Sequence, residues 1–351
     1  MSELRSPVTR RELIVGSAAL AGSVALQGNG SPRLYVEAEG DFAADQVRHR
    51  KELWSLLGDL PWDHKPAPPK LVRTEKHDGY TLERWVLDLN GFEPVPALLL
   101  IPDHRQNPAP GLLFIHWHAG QYDLGKEQLL LGTTAQPAYA PVCVEKGLVT
   151  LAIDSWCFGE RRHEENGHQG EEDAFKEMLW KGQVLYGMMM FDEFQALGYL
   201  ASRPDVDQHR LGAFGMSMGA TKAWWLAALD PRIHSTMDVC CLTDYESLIA
   251  AQGLHEHGIY YYVPSLLKHF TSAQINALIV PRPHLSVNGR NDPLTPPIGV
   301  EKIRAELLPL YRKYGHEADL HIELFDCAHQ ELPAMRAEIL DWMDRYLVAR
   351  E

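Results

Sequence analysis

Residues Arg210 to Ala220 read Arg-Leu-Gly-Ala-Phe-Gly-Met-Ser-Met-Gly-Ala, and this stretch constrains the fold more than any other. Leu211 to Phe214 is a short apolar run of strand type, and a helix follows over roughly Ala220 to Leu229. Between them lies Gly215-Met-Ser217-Met-Gly219, the Gly-x-Ser-x-Gly pattern in the strand–turn–helix setting that lifts a serine hydroxyl clear of a sheet. Such a turn crowds its own backbone, so its flanking positions call for glycine, which has no Cβ. Met218 opens the helix, where the first amides lack a partner within the helix and can face a developing oxyanion. The pentapeptide alone reads more readily as an ordinary strand-to-helix turn. Its partners elsewhere in the chain decide between the two.

The rest of the chain fits a sheet built around this turn. Tyr80 to Leu89 alternates apolar and polar residues, as a half-buried antiparallel strand does. Val95 to Ile101 is a second strand, with a proline suited to an edge. Gly111 to His116 and Gly147 to Asp154 are almost wholly apolar, as in the buried middle of a parallel sheet. Met237 to Leu242, His284 to Gly289 and Leu320 to Phe325 bring the set to about eight. Helical patterns occupy Gln46 to Leu57, Asp173 to Ala201, Val300 to Tyr314 and Leu332 to Val348. Two hairpin-like strands followed by alternating strands and helices predict an α/β fold: a mostly parallel, doubly wound, eight-stranded sheet with helices on both faces. Pro61 to Pro69 is a proline-rich connector that cannot hold regular structure. The domain plan is therefore residues 31–74 as an N-terminal helix and connector, and 75–351 as the main domain.

Two loops at predicted strand ends supply partners for Ser217. In an open α/β sheet, functional groups gather at the carboxyl ends of the strands. One strand ends in Val287-Asn-Gly-Arg-Asn-Asp292-Pro, and the last ends in Phe325-Asp-Cys-Ala-His329. The chain order is nucleophile, acid, base: Ser217, Asp292, His329. His329 suits proton transfer to and from Ser217, and Asp292 suits orienting the imidazole. Asp326, Asp244 and Asp154 are competing acids near strand ends. With the elbow, Gly289-x-x-Asp292-Pro and the final His329 in that order, the chain resembles the α/β-hydrolase superfamily over roughly residues 75–350. His116-Trp-His-Ala-Gly120, Gly125-Lys-Glu127, Asp154-Ser-Trp-Cys-Phe-Gly-Glu-Arg-Arg162 and Trp224-Trp-Leu-Ala-Ala-Leu-Asp230 are similar, more narrowly, to its bacterial acetyl-xylan-esterase and dienelactone-hydrolase branch. The resemblance implies a serine hydrolase without cofactor, acting on a small-molecule ester, with a small acyl group on a carbohydrate or other polar alcohol. It also implies a second oxyanion amide in the turn after the third strand, at His118, beside that of Met218. Trp117 stands where the superfamily has a glycine, which puts the turn geometry in question. The same triad would equally serve a lactone, an amide or a carbon–carbon bond, and an inactive copy of the fold would be a binding protein.

Other features bound the reading further. His116 and His118 face the same way on a strand, and His255-Glu-His257 pairs two more imidazoles, but no third ligand stands at metal spacing; no metal is expected. Trp117, Glu160, Arg161, Tyr260 and Tyr261 are candidate substrate contacts, with an ion-paired loop as the alternative for Glu160 and Arg161. The tyrosines lie in a long aromatic-rich insertion over residues 247–281. A net charge of -14 and a pI near 5.6 argue against nucleic acid and anionic membrane surfaces as partners. The five cysteines lack metal spacing and read as small buried residues. Arg10-Arg11 before the apolar run Ile14 to Leu26 resembles a twin-arginine export signal over residues 1–30, too short for a membrane span. A periplasmic or extracellular location follows, with the cytoplasm as the alternative.

Overall fold

The structure, a computed structural model, describes residues 40–162 and 167–349. A nine-stranded sheet runs through it. Its strands are β1 (Lys70–His77), β2 (Tyr80–Leu87), β3 (Val95–Pro102), β4 (Ala109–Ile115), β5 (Val149–Ile153), β6 (Val206–Met216), β7 (Ser235–Val239), β8 (His284–Gly289) and β9 (Leu320–Phe325). Their spatial order is β1-β2-β3-β5-β4-β6-β7-β8-β9. Strands β4 to β9 pair in parallel, and β1, β2 and β3 join antiparallel at one side. The most apolar strands take the middle: every residue of β4 and β5 is buried, as parallel strands covered on both faces must be.

Three expectations are corrected here. The sheet has nine strands rather than eight. The extra one, Lys-Leu-Val-Arg-Thr-Glu-Lys-His, is exposed at seven of eight positions and forms the edge beside β2, where charged residues discourage further pairing. A strand that buries no face leaves no period-2 hydrophobic signal. Strand β3 is internal, not an edge. Pro96 is tolerated because the ladder to β5 begins one residue later, at Ala97 opposite Ile153. The single helix expected over Asp173 to Ala201 is two, Gly167–Trp180 and Leu185–Ala201. Gln183 leaves the helix to form a β-bridge with Gly58.

The N-terminal helix, Asp41–Ser55, is tied to this body by polar groups as well as by Leu53. Gln46 Nε2 donates to Val280 O at 2.7 Å, and Arg50 Nε donates to Ala228 O at 3.0 Å. Pro61 to Pro69 runs without regular structure, as expected. The helix after Ser217, Met218–Leu229, is buried along its whole length. Trp224 Nε1 donates to Cys241 O at 3.1 Å, and Trp225 Nε1 donates to the Tyr245 hydroxyl at 2.9 Å. Each indole thus buries a large apolar body and still satisfies its one polar atom. Truncating either to alanine would cost about 3–5 kcal/mol, so the helix carrying the serine is a rigid mount. All five cysteines are buried and unbridged. Among the described residues no helix is long and apolar enough to cross a membrane. The export signal read at residues 1–30 lies outside the described residues.

Candidate active site

Ser217 sits at a tight turn between strand and helix. It follows β6 directly, with φ 56 and ψ -116, and caps the helix Met218–Leu229. A side-chain-bearing residue in that region is strained, and such strain concentrates at functional positions. Its amide donates to Val239 O at 2.9 Å and its carbonyl accepts from the Thr221 amide at 2.9 Å, so the backbone is fixed on both sides. The glycines are required by contact. A Cβ on Gly219 would stand 2.0 Å from Ile115 O, and one on Gly215 would stand 2.4 Å from the Gly219 carbonyl carbon. The Met218 amide, first of the helix, has no acceptor within the helix.

Asp292 and His329 meet. His329 Nδ1 donates to Asp292 Oδ2 at 2.7 Å, and Asp292 Oδ1 accepts from the Leu294 amide at 3.0 Å. Two loops from neighbouring strands are laced together to achieve this. The Arg290 amide donates to Phe325 O at 2.7 Å and the Asn291 amide to Cys327 O at 2.9 Å. A Cβ on Gly289 would stand 2.5 Å from Ala328 O, so only glycine lets the loops approach this closely. With Nδ1 donating, Nε2 is the ring nitrogen left to accept a proton; it is buried and has no hydrogen-bond partner. No hydrogen bond joins it to Ser217 among the described residues. The competing acids are engaged elsewhere. Asp326 accepts from Asn291 Nδ2, Asp154 from Lys126 Nζ, and Asp244 caps Ser247 and pairs with Lys302.

The turn after β4 contributes Trp117 and His118. The Trp117 ring lies 5.9 Å from the His329 ring, with its Nε1 buried and unpartnered. The left-handed residues of this turn are Ala119 (φ 51) and Gly120 (φ 65), two positions beyond Trp117. Trp117 itself has an ordinary φ, so the absent glycine costs nothing there. His116 is enclosed: Nδ1 donates to Trp117 O at 3.1 Å and Nε2 accepts from the Ser155 amide at 3.1 Å. Burial, then the nearby Lys222 charge, hold it well below the usual imidazole range. Both its ring nitrogens are therefore occupied. The grouping of metal-ligand types among the described residues is instead Cys240 with Asp292 and His329, and burial pushes that thiol well above its usual range.

The remaining candidates divide. Arg161 is buried, donating to Glu93 Oε1 at 2.6 Å and to Asp192 Oδ2 and Asp154 O at 2.8 Å, over the Trp156 ring. Glu160 is exposed and accepts from Lys126 Nζ at 2.7 Å. Both belong to the ion-paired loop after β5. Tyr260 and Tyr261 are buried, and Tyr260 stacks on His118 at 5.6 Å. Burial holds both hydroxyls well above the usual phenol range, so both stay protonated. Tyr261 also lines a cavity of about 380 Å³ within the insertion, beside Tyr245, Leu248 and Leu266. The triad residues do not line that cavity.

Sequence reasoning missed three residues here, and the role of a fourth, His257. Gln128 and Glu171 hold the turn after β4. Lys222 lies under the elbow, buried against Ser155 Oγ and Glu193. His257 donates from Nε2 to Leu294 O at 2.9 Å and stacks on Tyr261 at 4.0 Å. Each is a polar side chain committed to a partner distant in the chain, which no local pattern encodes. His257 has a measurable consequence. Burial, foremost, brings its imidazole down to about 4. Between that value and the ordinary 6.5 the unfolded chain binds the extra proton. Stability is thus complete above pH 6.5 and falls as the pH drops toward 4, by about 3 kcal/mol at 1.36 kcal/mol per pKa unit. Denaturant titrations at pH 7.5 and 4.5 should show this loss reduced in His257→Gln; an equal loss in both proteins would refute it.

The sequence model of the Abhydrolase family matches residues 35–294. The chain belongs to the Abhydrolase family. The matched stretch includes Ser217 and Asp292, and His329 follows it. A relative in Bacillus subtilis (strain 168), named "Putative hydrolase YtaP", is 42% identical over 304 residues, covering 86% of this chain and all of that one. Among solved structures, one from Bacteroides fragilis named as a "putative acetyl xylan esterase" superposes with a TM-score of 0.66 at 19% identity, covering 92% of this chain and 87% of that one. The glucuronoyl esterase of Solibacter usitatus gives 0.59 at 16% identity, covering 84% and 91%. At such identities the likeness is one of fold, and it gives the Abhydrolase chain the α/β-hydrolase fold expected from its sequence.

Proposed function

We propose that the protein is a serine hydrolase that cleaves a carboxylic ester, with a small acyl group carried on a carbohydrate or similar polar alcohol. The observation that carries the reading is the Asp292–His329 hydrogen bond, which leaves a buried Nε2 as proton acceptor; an elbow serine at φ 56 supports it. Ser217 Oγ attacks the acyl carbon while its proton passes to His329 Nε2. The amides of Met218 and His118 stabilise the oxyanion. Collapse of the tetrahedral adduct expels the alkoxide, which takes the proton back from His329. Water, deprotonated by the same imidazole, then attacks the acyl-enzyme and releases the carboxylic acid and free serine. Asp292 keeps the imidazole in the required tautomer throughout. The names of the structural relatives, acetyl xylan esterase and glucuronoyl esterase, favour an ester on a carbohydrate over a lactone or amide. Export is proposed on the Arg10-Arg11 pair and the following apolar run alone.

Intact mass spectrometry after fluorophosphonate treatment tests the nucleophile, and a panel of acetylated sugars, aryl acetates, lactones and anilides tests the bond. A single adduct and turnover of the acetylated sugars are expected. No adduct on folded protein would overturn the reading, and turnover confined to lactones or anilides would overturn its substrate class.

A further inference from the structure

We infer that Gln128 and Glu171 are positioning residues: two side-chain clamps that aim the His118 amide at the oxyanion, a role resting on the serine-hydrolase reading above. The first clamp closes on Trp117 from both sides. Gln128 Oε1 accepts from the Trp117 amide at 2.9 Å, and Gln128 Nε2 donates to Trp117 O at 2.9 Å. This two-point pairing of a carboxamide with a peptide group fixes the plane of the chain just ahead of His118. Gln128 is 1% exposed, so water does not compete for either bond. The second clamp holds the far side. His118 Nδ1 accepts from the Gly120 amide at 3.0 Å, which makes Nε2 the nitrogen that donates to Glu171 Oε2 at 3.1 Å. Tyr122 donates its hydroxyl to the same oxygen at 2.8 Å. Glu171, also 1% exposed, therefore joins both ends of the turn through one carboxylate.

The amides of the turn are thereby sorted. That of Trp117 goes to Gln128, that of Gly120 to the His118 ring, and that of Gln121 to His118 O at 3.0 Å. The His118 amide is left without an acceptor among the described residues, one peptide beyond the ring that packs on His329. A glycine-rich turn can reach such a conformation through its own freedom. Here a tryptophan occupies the turn, and order comes from outside it, through Gln128 and Glu171.

The test compares Gln128→Ala, Gln128→Glu, Glu171→Gln and Tyr122→Phe with wild type in the full chain, each normalised by fluorophosphonate titration of active sites. An oxyanion donor displaced by about 1 Å costs roughly 10²-fold in rate. The expected result for Gln128→Ala is a kcat lower by that factor with KM little changed. A trifluoromethyl ketone, whose adduct carries the oxyanion, should lose affinity in the same proportion. Gln128→Glu keeps the acceptor but sets a carboxylate oxygen against Trp117 O in a buried site, so it should lose at least as much as alanine. A purely structural role would lower the titratable fraction and leave kcat per active site unchanged. That result, or a kcat loss with unchanged ketone affinity, would overturn the inference. Should Gln128→Ala not fold, Glu171→Gln and Tyr122→Phe decide by the same proportionality. Absence of any adduct on wild type would overturn the serine reading itself, whereas a full adduct with unaffected variants would overturn the clamps alone.

Discussion

Ser217→Ala is expected to lower kcat for ester hydrolysis by about 10⁵- to 10⁶-fold, the loss seen when a serine nucleophile acting within a triad is removed. The substitution isolates chemistry from folding. Both backbone hydrogen bonds of residue 217, to Val239 O and from Thr221, use main-chain atoms that alanine retains. The strained φ of 56 is as costly for alanine as for serine. Thermal unfolding should therefore match wild type while the fluorophosphonate adduct disappears. Residual turnover above about 1% of wild type in a preparation free of wild-type protein would exclude Ser217 as the nucleophile.

The second large effect is expected from Asp292→Asn, about 10⁴-fold in kcat. Asparagine can still accept from the Leu294 amide, so the loop keeps its shape. Its carboxamide would donate to His329 Nδ1, however, and that would leave the hydrogen on Nε2, where it blocks proton uptake from Ser217. Asp326→Asn is the control. Asp326 lies three residues before His329 but accepts from Asn291 Nδ2, so its loss should change kcat less than about threefold, within the range of an exposed surface contact. Pre-steady-state acylation with an activated ester measures both. Equal losses in the two variants would remove Asp292 from its assigned role.

The elements that announced themselves did so for simple reasons. Strands β4 and β5, and β6 from Leu211 onward, are buried on both faces, so they appear as largely apolar runs bounded by loops. The elbow announced itself because close approach to Ile115 O leaves room only for glycine at 219. Strand β1 and the break at Lys181–Gln183 stayed hidden. The first buries nothing, and the second depends on a bridge to Gly58, far away in the chain.

The candidate site divides along the same line. The identities and chain order of Ser217, Asp292 and His329 were legible because each needs a particular residue type next to a strand end, and strand ends can be read from local hydrophobic runs. Which aspartate faces His329 was settled only by folding, through the lacing of residues 289–291 onto 325–327. The reason Trp117 is tolerated was likewise invisible. Its amide and carbonyl are held by Gln128, and the His118 ring by Glu171, 53 residues away. Local sequence determined where the chain turns and which groups stand at the turns. The tertiary structure decided which of those groups point at one another, because buried polar side chains must find partners wherever the fold brings them.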